Sequence, residues 1–346
     1  MAYTTVPKST DYFNTKLYTG TGSSQVITGI GFQPDFIWTK TRNEAEIHCL
    51  NTTVQGINSY LRSNATDQLE TAGSNITAQS SDGYTVGTED RFNQSSNTFV
   101  SWNWKANGAG ASNTEGSINT TKTSANATSG FSIVTWSGNS GSLGHGLGQK
   151  PAMLIIKSTG ATGGWYVTHK SLSAEMQDNY MFLNDTSANT TNNNIWGGEP
   201  TSTTFSVGSG LIADTTHVAY CFADVQGFSK FGSYVGNGNA DGAFVYTGFK
   251  PAFVLIKKAT GSADSWFIND NKRSLSGGFN TNSYYMRPNE NSAEGTASSL
   301  AIDILSNGFK IRNSDTAYNA NNSTYIYMAF AEEPLVSTNG QPATAR

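Results

Sequence analysis

Histidines, cysteines and closely spaced carboxylates are the side chains here that could carry acid–base, nucleophilic or metal chemistry. His48, His145, His169 and His217 are widely separated, and no His-x-His, His-Glu-x-x-His, Cys-x-x-Cys or Asp-x-Asp pattern occurs. A built-in zinc or calcium site therefore has no support in the spacing. The carboxylate pairs a glycosidase would need are Glu44 with Glu46, Glu89 with Asp90, and Glu332 with Glu333. The first lies on a polar turn and the last follows the final strand, so each reads as solvated charge. Gly144-His-Gly-Leu-Gly148 lacks the lysine and following helix of a phosphate loop, and no serine sits in a Gly-x-Ser-x-Gly elbow. No catalytic residue, metal ligand or cofactor is assigned. Cys49 and Cys221 read as buried free thiols.

Aromatic side chains are the remaining resource for recognition. Trp38, Trp102, Trp104, Trp136, Trp165 and Trp266 fall at repeated positions and read as core. Trp196 stands apart, in Asn192-Asn-Asn-Ile-Trp-Gly-Gly198, a stretch with no clear counterpart elsewhere in the chain. A ring set among asparagines and glycines suits an exposed ligand contact, so Asn193, Asn194 and Trp196 form the candidate contact loop. His169 and Asp270 occupy matching positions and suggest a polar rim.

The elements that must position these residues are written three times. Gly31-Phe-Gln-Pro-Asp-Phe-Ile-Trp-Thr-Lys40 returns at Gly148–Lys157 and Gly248–Lys257, each with an apolar run between proline and lysine. Four further blocks keep the same order. Tyr18-Thr-Gly20 matches Trp136-Ser-Gly138 and Tyr234-Val-Gly236, and Tyr60…Asn64 matches Tyr180…Asn184 and Tyr285…Asn289. Gly83…Val86 matches Thr204…Val207 and Gly308…Ile311, while the closing Thr98…Trp104 matches Thr216…Phe222 and Thr324…Phe330. A period of 117 and then 100 residues between the prolines is too long for a solenoid and suits one β domain per copy.

Short aromatic and β-branched runs separated by Gly, Ser, Thr and Asn indicate an all-β protein of about seven to nine strands per copy. The fold expected is three tandem homologous jelly-roll-like (concanavalin-like) β-sandwich modules. The boundaries read as a lead-in at 1–10, repeat 1 at 11–107, a Gly/Ser/Thr/Asn-rich linker at 108–130, repeat 2 at 131–226, repeat 3 at 227–334 and a tail at 335–346. Copies two and three should dock rigidly and copy one should hinge. The linker favours beads in line over a ring about a pseudo-threefold axis. In the closing segment Val218, Tyr220 and Phe222 face one way. Ala219, Cys221 and Ala223 face the other, where their small size leaves room for another sheet or copy to approach. Asp82-Gly83, Asn237-Gly238, Asp241-Gly242 and Asn307-Gly308 mark hairpin turns.

Only 13 % of the 346 residues are charged and the net charge is -4, so no electrostatic footprint for nucleic acid exists. No run of 18 apolar residues is present, so membrane insertion is not expected. The start, Met-Ala-Tyr-Thr-Thr-Val-Pro, does not read as a secretory signal.

The repeated decapeptide, Ser101-Trp-Asn-Trp-Lys-Ala106, Gly227-Phe-Ser-Lys-Phe-Gly-Ser-Tyr234 and the terminal Ala329-Phe-Ala-Glu-Glu-Pro334 resemble virion surface proteins of marine tailed bacteriophages, cyanophages among them. The resemblance covers nearly the whole chain. It implies a tail fibre or tail-associated protein exposed on the virion, assembled with other virion proteins as a homo-oligomer, a trimer above all, and presenting loops to host surface glycan. It implies no enzymatic activity. A head decoration protein and a glycan depolymerase are the alternatives.

Overall fold

A computed structural model describes residues 4–192, 194–212, 215–273 and 281–334. The tail at 335–346 and the start of the lead-in lie outside the described residues. The first stretch forms β1 (Phe13–Thr19), β2 (Gln25–Ile27), β3 (Phe36–Thr41), β4 (Cys49–Thr52), β5 (Ser59–Arg62), β6 (Glu70–Thr71), β7 (Ile76–Ser80), β8 (Gly83–Val86) and β9 (Thr98–Trp104). The second forms β10 (Lys122–Asn126), β11 (Phe131–Ser137), β12 (Gly141–Gly144), β13 (Met153–Ser158), β14 (Trp165–His169), β15 (Asn179–Phe182), β16 (Thr190–Thr191), β17 (Thr204–Val207) and β18 (Thr216–Phe222). The third forms β19 (Ser229–Val235), β20 (Phe244–Tyr246), β21 (Phe249–Lys258), β22 (Trp266–Asp270), β23 (Thr281–Asn282), β24 (Tyr284–Tyr285), β25 (Gly295–Thr296), β26 (Ile302–Leu305), β27 (Gly308–Ile311) and β28 (Thr324–Pro334).

The protein is all-β, with sandwich-like packing of several antiparallel sheets. Its three largest sheets run β1-β9-β3-β4-β5-β6, β10-β11-β18-β13-β14-β15-β16 and β19-β28-β21-β22. Each therefore places a proline–lysine strand beside a closing strand, in one register: Trp38 opposite Trp102, Ile155 opposite Tyr220, Leu255 opposite Met328. Smaller sheets β2-β8-β7, β12-β17 and β20-β27-β26-β23 cover the outside. Gly83 and Gly308 lie against the carbonyls of Ile27 and Val245, where a Cβ would sit 1.9 and 2.0 Å from the oxygen. A side chain at either position would force the outer strands apart. Pro251 falls within β21 at a register shift, where its missing N–H leaves no ladder bond unmade.

Alternation splits the side chains of each large sheet between two cores. Phe36, Trp38, Trp102, Trp104, Met153, Tyr220, Phe222, Phe253, Met328 and Phe330 share one central cluster. Three satellite clusters lie under the outer sheets, around Tyr84 and Phe92, around Trp136 and Phe205, and around Phe309 and Tyr318. At the centre, the matching residues of the three closing strands meet pairwise. Ring centroids are 6.5 Å apart for Trp104–Phe222, 5.7 Å for Trp104–Phe330 and 6.1 Å for Phe222–Phe330.

That triangle corrects two expectations. The copies are not beads, and copy one does not stand off on a hinge, because its aromatic face is buried against both others. The small side of the closing strand is also not where copies approach. Ala219, Cys221 and Ala223 pack under copy two's own outer sheet, while Val218, Tyr220 and Phe222 face the common core. The expected linker differs too: Lys122–Asn126 pairs with β11 as an edge strand, and Ile118 N–H donates to the Ser142 carbonyl. Polar composition reads as a loop, yet threonine and serine tolerate a strand edge well. Two of the four turn signals close hairpins, at Asp82-Gly83 and Asn307-Gly308. Asn237-Gly238 and Asp241-Gly242 instead shape the connection from β19 to β20, which lie in different sheets.

A shared core should unfold as a unit. Denaturation followed by far-UV circular dichroism and by tryptophan fluorescence is expected to give coincident transitions. Trp104→Ala should destabilise the whole transition by about 3–5 kcal/mol. Separate transitions, with only one shifted by the substitution, would show the copies to be independent.

Candidate functional site

The residues capable of chemistry are drawn mostly into the seams between copies. Lys40, Lys157 and Lys257, the ends of the repeated decapeptide, are fully buried. Each ammonium donates to two backbone carbonyls: Lys40 to Thr41 and Glu44, Lys157 to Ser158 and Thr66, Lys257 to Asp264 and Thr186. Burial pulls all three down to about 8. Two of these bonds cross a seam. Thr66 belongs to copy one and Thr186 to copy two.

Other bonds cross the seams at matching positions. Trp165 Nε1 donates to the Arg62 carbonyl at 2.8 Å, and Trp266 Nε1 to the Phe182 carbonyl at 2.8 Å. In copy one His48 takes the tryptophan's place, with its Nε2 near the Arg287 carbonyl but not in a well-formed hydrogen bond. Backbone bonds Leu69 N–Thr159 O, Asn189 N–Ala259 O and Glu294 N–Arg42 O repeat the relation around the ring, at 3.0, 3.0 and 2.7 Å. Copy two thus holds copy one, copy three holds copy two, and copy one holds copy three.

The seam between copies three and one adds charge. The Arg42 guanidinium forks onto Glu294 at 2.8 and 2.9 Å. Asp270, fully buried, accepts from Trp102 Nε1 at 2.9 Å and from Arg273 Nε at 2.5 Å. Arg273 lies 5.3 Å from the Trp102 ring centroid. The expected polar rim at His169 and Asp270 is therefore interior: both are 0 % exposed, and His169 Nε2 pairs with the Tyr327 carbonyl at 3.1 Å. Alternation hid this, since matching polar positions on a strand look alike at a rim and at a seam.

All four histidines are buried, with ring pKa values lowered by desolvation, that of His169 to about 4. His217 stacks on Trp136 at 5.1 Å, as Phe99 does on Tyr18 and Tyr325 on Tyr234, both at 5.0 Å. Glu46 and Glu89 share Arg91 at 3.7 and 3.4 Å. Glu332 lies within β28 rather than after it, paired with Lys250. Among the described residues no three of His, Cys, Asp and Glu are grouped to hold a metal. Cys49 and Cys221 are free and buried.

The predicted contact loop is only partly a surface. Asn193 lies outside the described residues. Asn194 is exposed, and with Gln177, Asp178 and Trp196 it borders a hollow of about 330 Å³. Trp196 itself is 2 % exposed and packs in copy two's satellite core. It also has counterparts. Gly208 N bonds the Ile195 carbonyl as Gly87 N bonds Asn75 and Arg312 N bonds Ala301, so Trp196 stands where Ile76 and Ile302 stand. The glycines and asparagines around it disguised a core position.

The exposed large apolar side chains are Val26, Val235, Phe244 and Tyr246, among the described residues. Phe244 and Tyr246 share the outer face of β20, and the only signal in the sequence was their departure from the other copies. Hydrogen-bonded register sets Phe244 against Val26 and Ser142, and Tyr246 against Thr28 and Gly144. Tyr246 borders a hollow of about 460 Å³, which adjoins one of about 670 Å³ through shared Asp224 and Gln226.

Two outcomes follow. Trp196→Ala is expected to cost about 3–5 kcal/mol of stability, read by denaturant titration, with no surface aromatic lost; unchanged stability would return Trp196 to the surface. The histidines give the second. Groups held below their unfolded values bind protons more readily in the unfolded chain. Their contribution is thus complete above about pH 6.5 and is lost as the pH falls. The melting temperature should fall from pH 7 to pH 5, and His217→Phe, which restores copy one's residue, should shallow that fall. A flat profile, or no change in slope in the variant, would refute this.

No curated protein matches the chain. Residues 8–334 match a family described as a domain of unknown function, DUF7483. The chain belongs to that family.

Proposed function

We propose that this chain is a structural protein exposed on the virion of a tailed bacteriophage, a tail fibre or tail-associated component that binds host surface glycan. In this reading it consists of three tandem jelly-roll-like modules and has no catalytic role. The observation that supports it is the closed ring of seams, which packs the three large sheets around one core and draws lysine, histidine and tryptophan into holding it. A rigid body of low charge suits a particle surface, where salt screens long-range attraction and packing must supply stability. The sequence resemblance supplies the source.

In this reading a monomer replaces the homotrimer that the resemblance implies. The aromatic faces that a trimer would bury are already buried within one chain, so the purified protein should be a monomer of 36.9 kDa by light scattering. A threefold mass would restore the homotrimer. Gold-labelled antibody raised against the chain should decorate the tails of intact particles. Label on heads would favour a decoration protein, and particles without label would overturn the virion assignment. Release of reducing ends from host polysaccharide by the purified chain would overturn the non-catalytic reading.

A further inference from the structure

Where the chain passes from copy two to copy three, two hollows that share Asp224 and Gln226 form a trough, and Thr4 and Thr5 of the lead-in line its larger part. We infer that this trough is a binding site for a neutral oligosaccharide, with Tyr246 as its stacking platform. The assignment rests on the surface-binding reading and gives it a place and a ligand class.

The first observation is the ring. Tyr246 is 55 % exposed, and neither its ring nor its hydroxyl has a partner among the described residues. Tyrosine offers a flat apolar face at low entropic cost, which fits the C–H face of a pyranose. The second is the amides. Gln226, exposed, and Gln149, half-buried in the adjoining hollow, have side chains with no hydrogen-bond partner among the described residues. A primary amide presents one acceptor and two donors side by side, the pattern that vicinal hydroxyls answer.

The third observation is charge. Asp224 is the carboxylate in the trough, and it is held: its oxygens accept from Phe231 N at 2.8 Å and from the Lys170 ammonium, with Lys230 4.0 Å away. Of these charges only Asp224 and Lys230 line the trough, and they cancel, so a polyanion gains little here and a neutral chain loses little. Leu147 and Val225 give the trough a buried apolar floor. Its two parts, about 460 and 670 Å³, are in the range of ligand sites and run on from each other, which suits several linked sugars rather than one. The matching positions Thr28 and Gly144 offer no ring, so the platform exists in one copy of three.

The test uses the purified full chain with maltohexaose, cellohexaose, laminarihexaose and mannohexaose, and with a hexagalacturonate as acidic comparison. Binding is detected by saturation-transfer NMR and quantified by calorimetry. At least one neutral hexamer should bind with a millimolar or tighter Kd, and Tyr246→Ala should weaken it about tenfold. Tyr246→Phe should hold affinity through the ring, and Gln226→Ala should weaken it measurably. Phe244→Ala, on the same strand but off the trough, should stay within twofold. A loss beyond twofold with Tyr246→Ala that Phe244→Ala does not share supports the site. The assignment fails if no neutral hexamer binds, if the acidic one binds tighter, if Tyr246→Ala stays within twofold, or if Phe244→Ala loses as much. Because the assay needs no particle, sugar binding without particle label would sink the virion reading alone. Particle label without sugar binding would sink this site alone.

Discussion

The contact on which the structure depends is the triangle of Trp104, Phe222 and Phe330. Three large sheets each present an aromatic face that none can cover with its own outer strands, because those strands already cover the opposite face. Two sheets meeting face to face would leave a third exposed. Three meeting around one axis bury all three, and the residues at the same step of each closing strand must then converge. Much else follows from that geometry. The proline–lysine strand is covered on both sides and reads as a nearly continuous apolar run.

Bringing three sheets together also buries the strand ends, whose polar groups then need partners away from water. The decapeptide's lysine answers this with an ammonium that satisfies two carbonyls at once, at the cost of desolvating a charge. Burial is the main cause that lowers the three pKa values, helped at Lys257 by the neighbouring Lys258, and nearby carboxylates offset it only in part. The seam between copies three and one differs because no peptide connects those two modules directly. There the chain places Arg42, Glu294, Asp270 and Arg273, a charged clamp in which Asp270 accepts a hydrogen bond from Trp102. Breaking such a pair on one side leaves an uncompensated buried charge, so the clamp resists partial opening even if its net contribution to stability is small.

The strands of the three large sheets were legible in the sequence, because alternation and turn chemistry act locally. The all-β class and the apolar run of the decapeptide strand both rest on local pattern. What was not legible is what depends on a third body. Val218, Tyr220 and Phe222 alternate in the same way whether they face a partner sheet or another copy, so periodicity could not say which face met which neighbour. Trp196 was misread for a related reason. Its asparagine and glycine neighbours signal a loop, but the backbone bonds that stitch Asn194 and Ile195 to the segment after β17 come from the fold, not from composition. The polar stretch before β11 shows the same limit, since an edge strand can be recruited from residues with no strong preference of their own.

Three copies in one chain differ from three identical chains in a way that bears on function. A homotrimer repeats every substitution three times, so a residue that helps at one surface site must be tolerated at two more. In a single chain each copy is free to differ wherever the axis does not constrain it. The interior shows how narrow that freedom is: at the triangle the choice is Trp or Phe, and at the stacking pair His replaces Phe or Tyr without loss of the stack. Outside the ring the constraint lapses. Val26, Ser142 and Phe244 share one structural position and Thr28, Gly144 and Tyr246 another, yet they share neither size nor polarity. A fold built on threefold likeness thus permits a single asymmetric face, and the trough where copy two passes into copy three lies where the likeness ends.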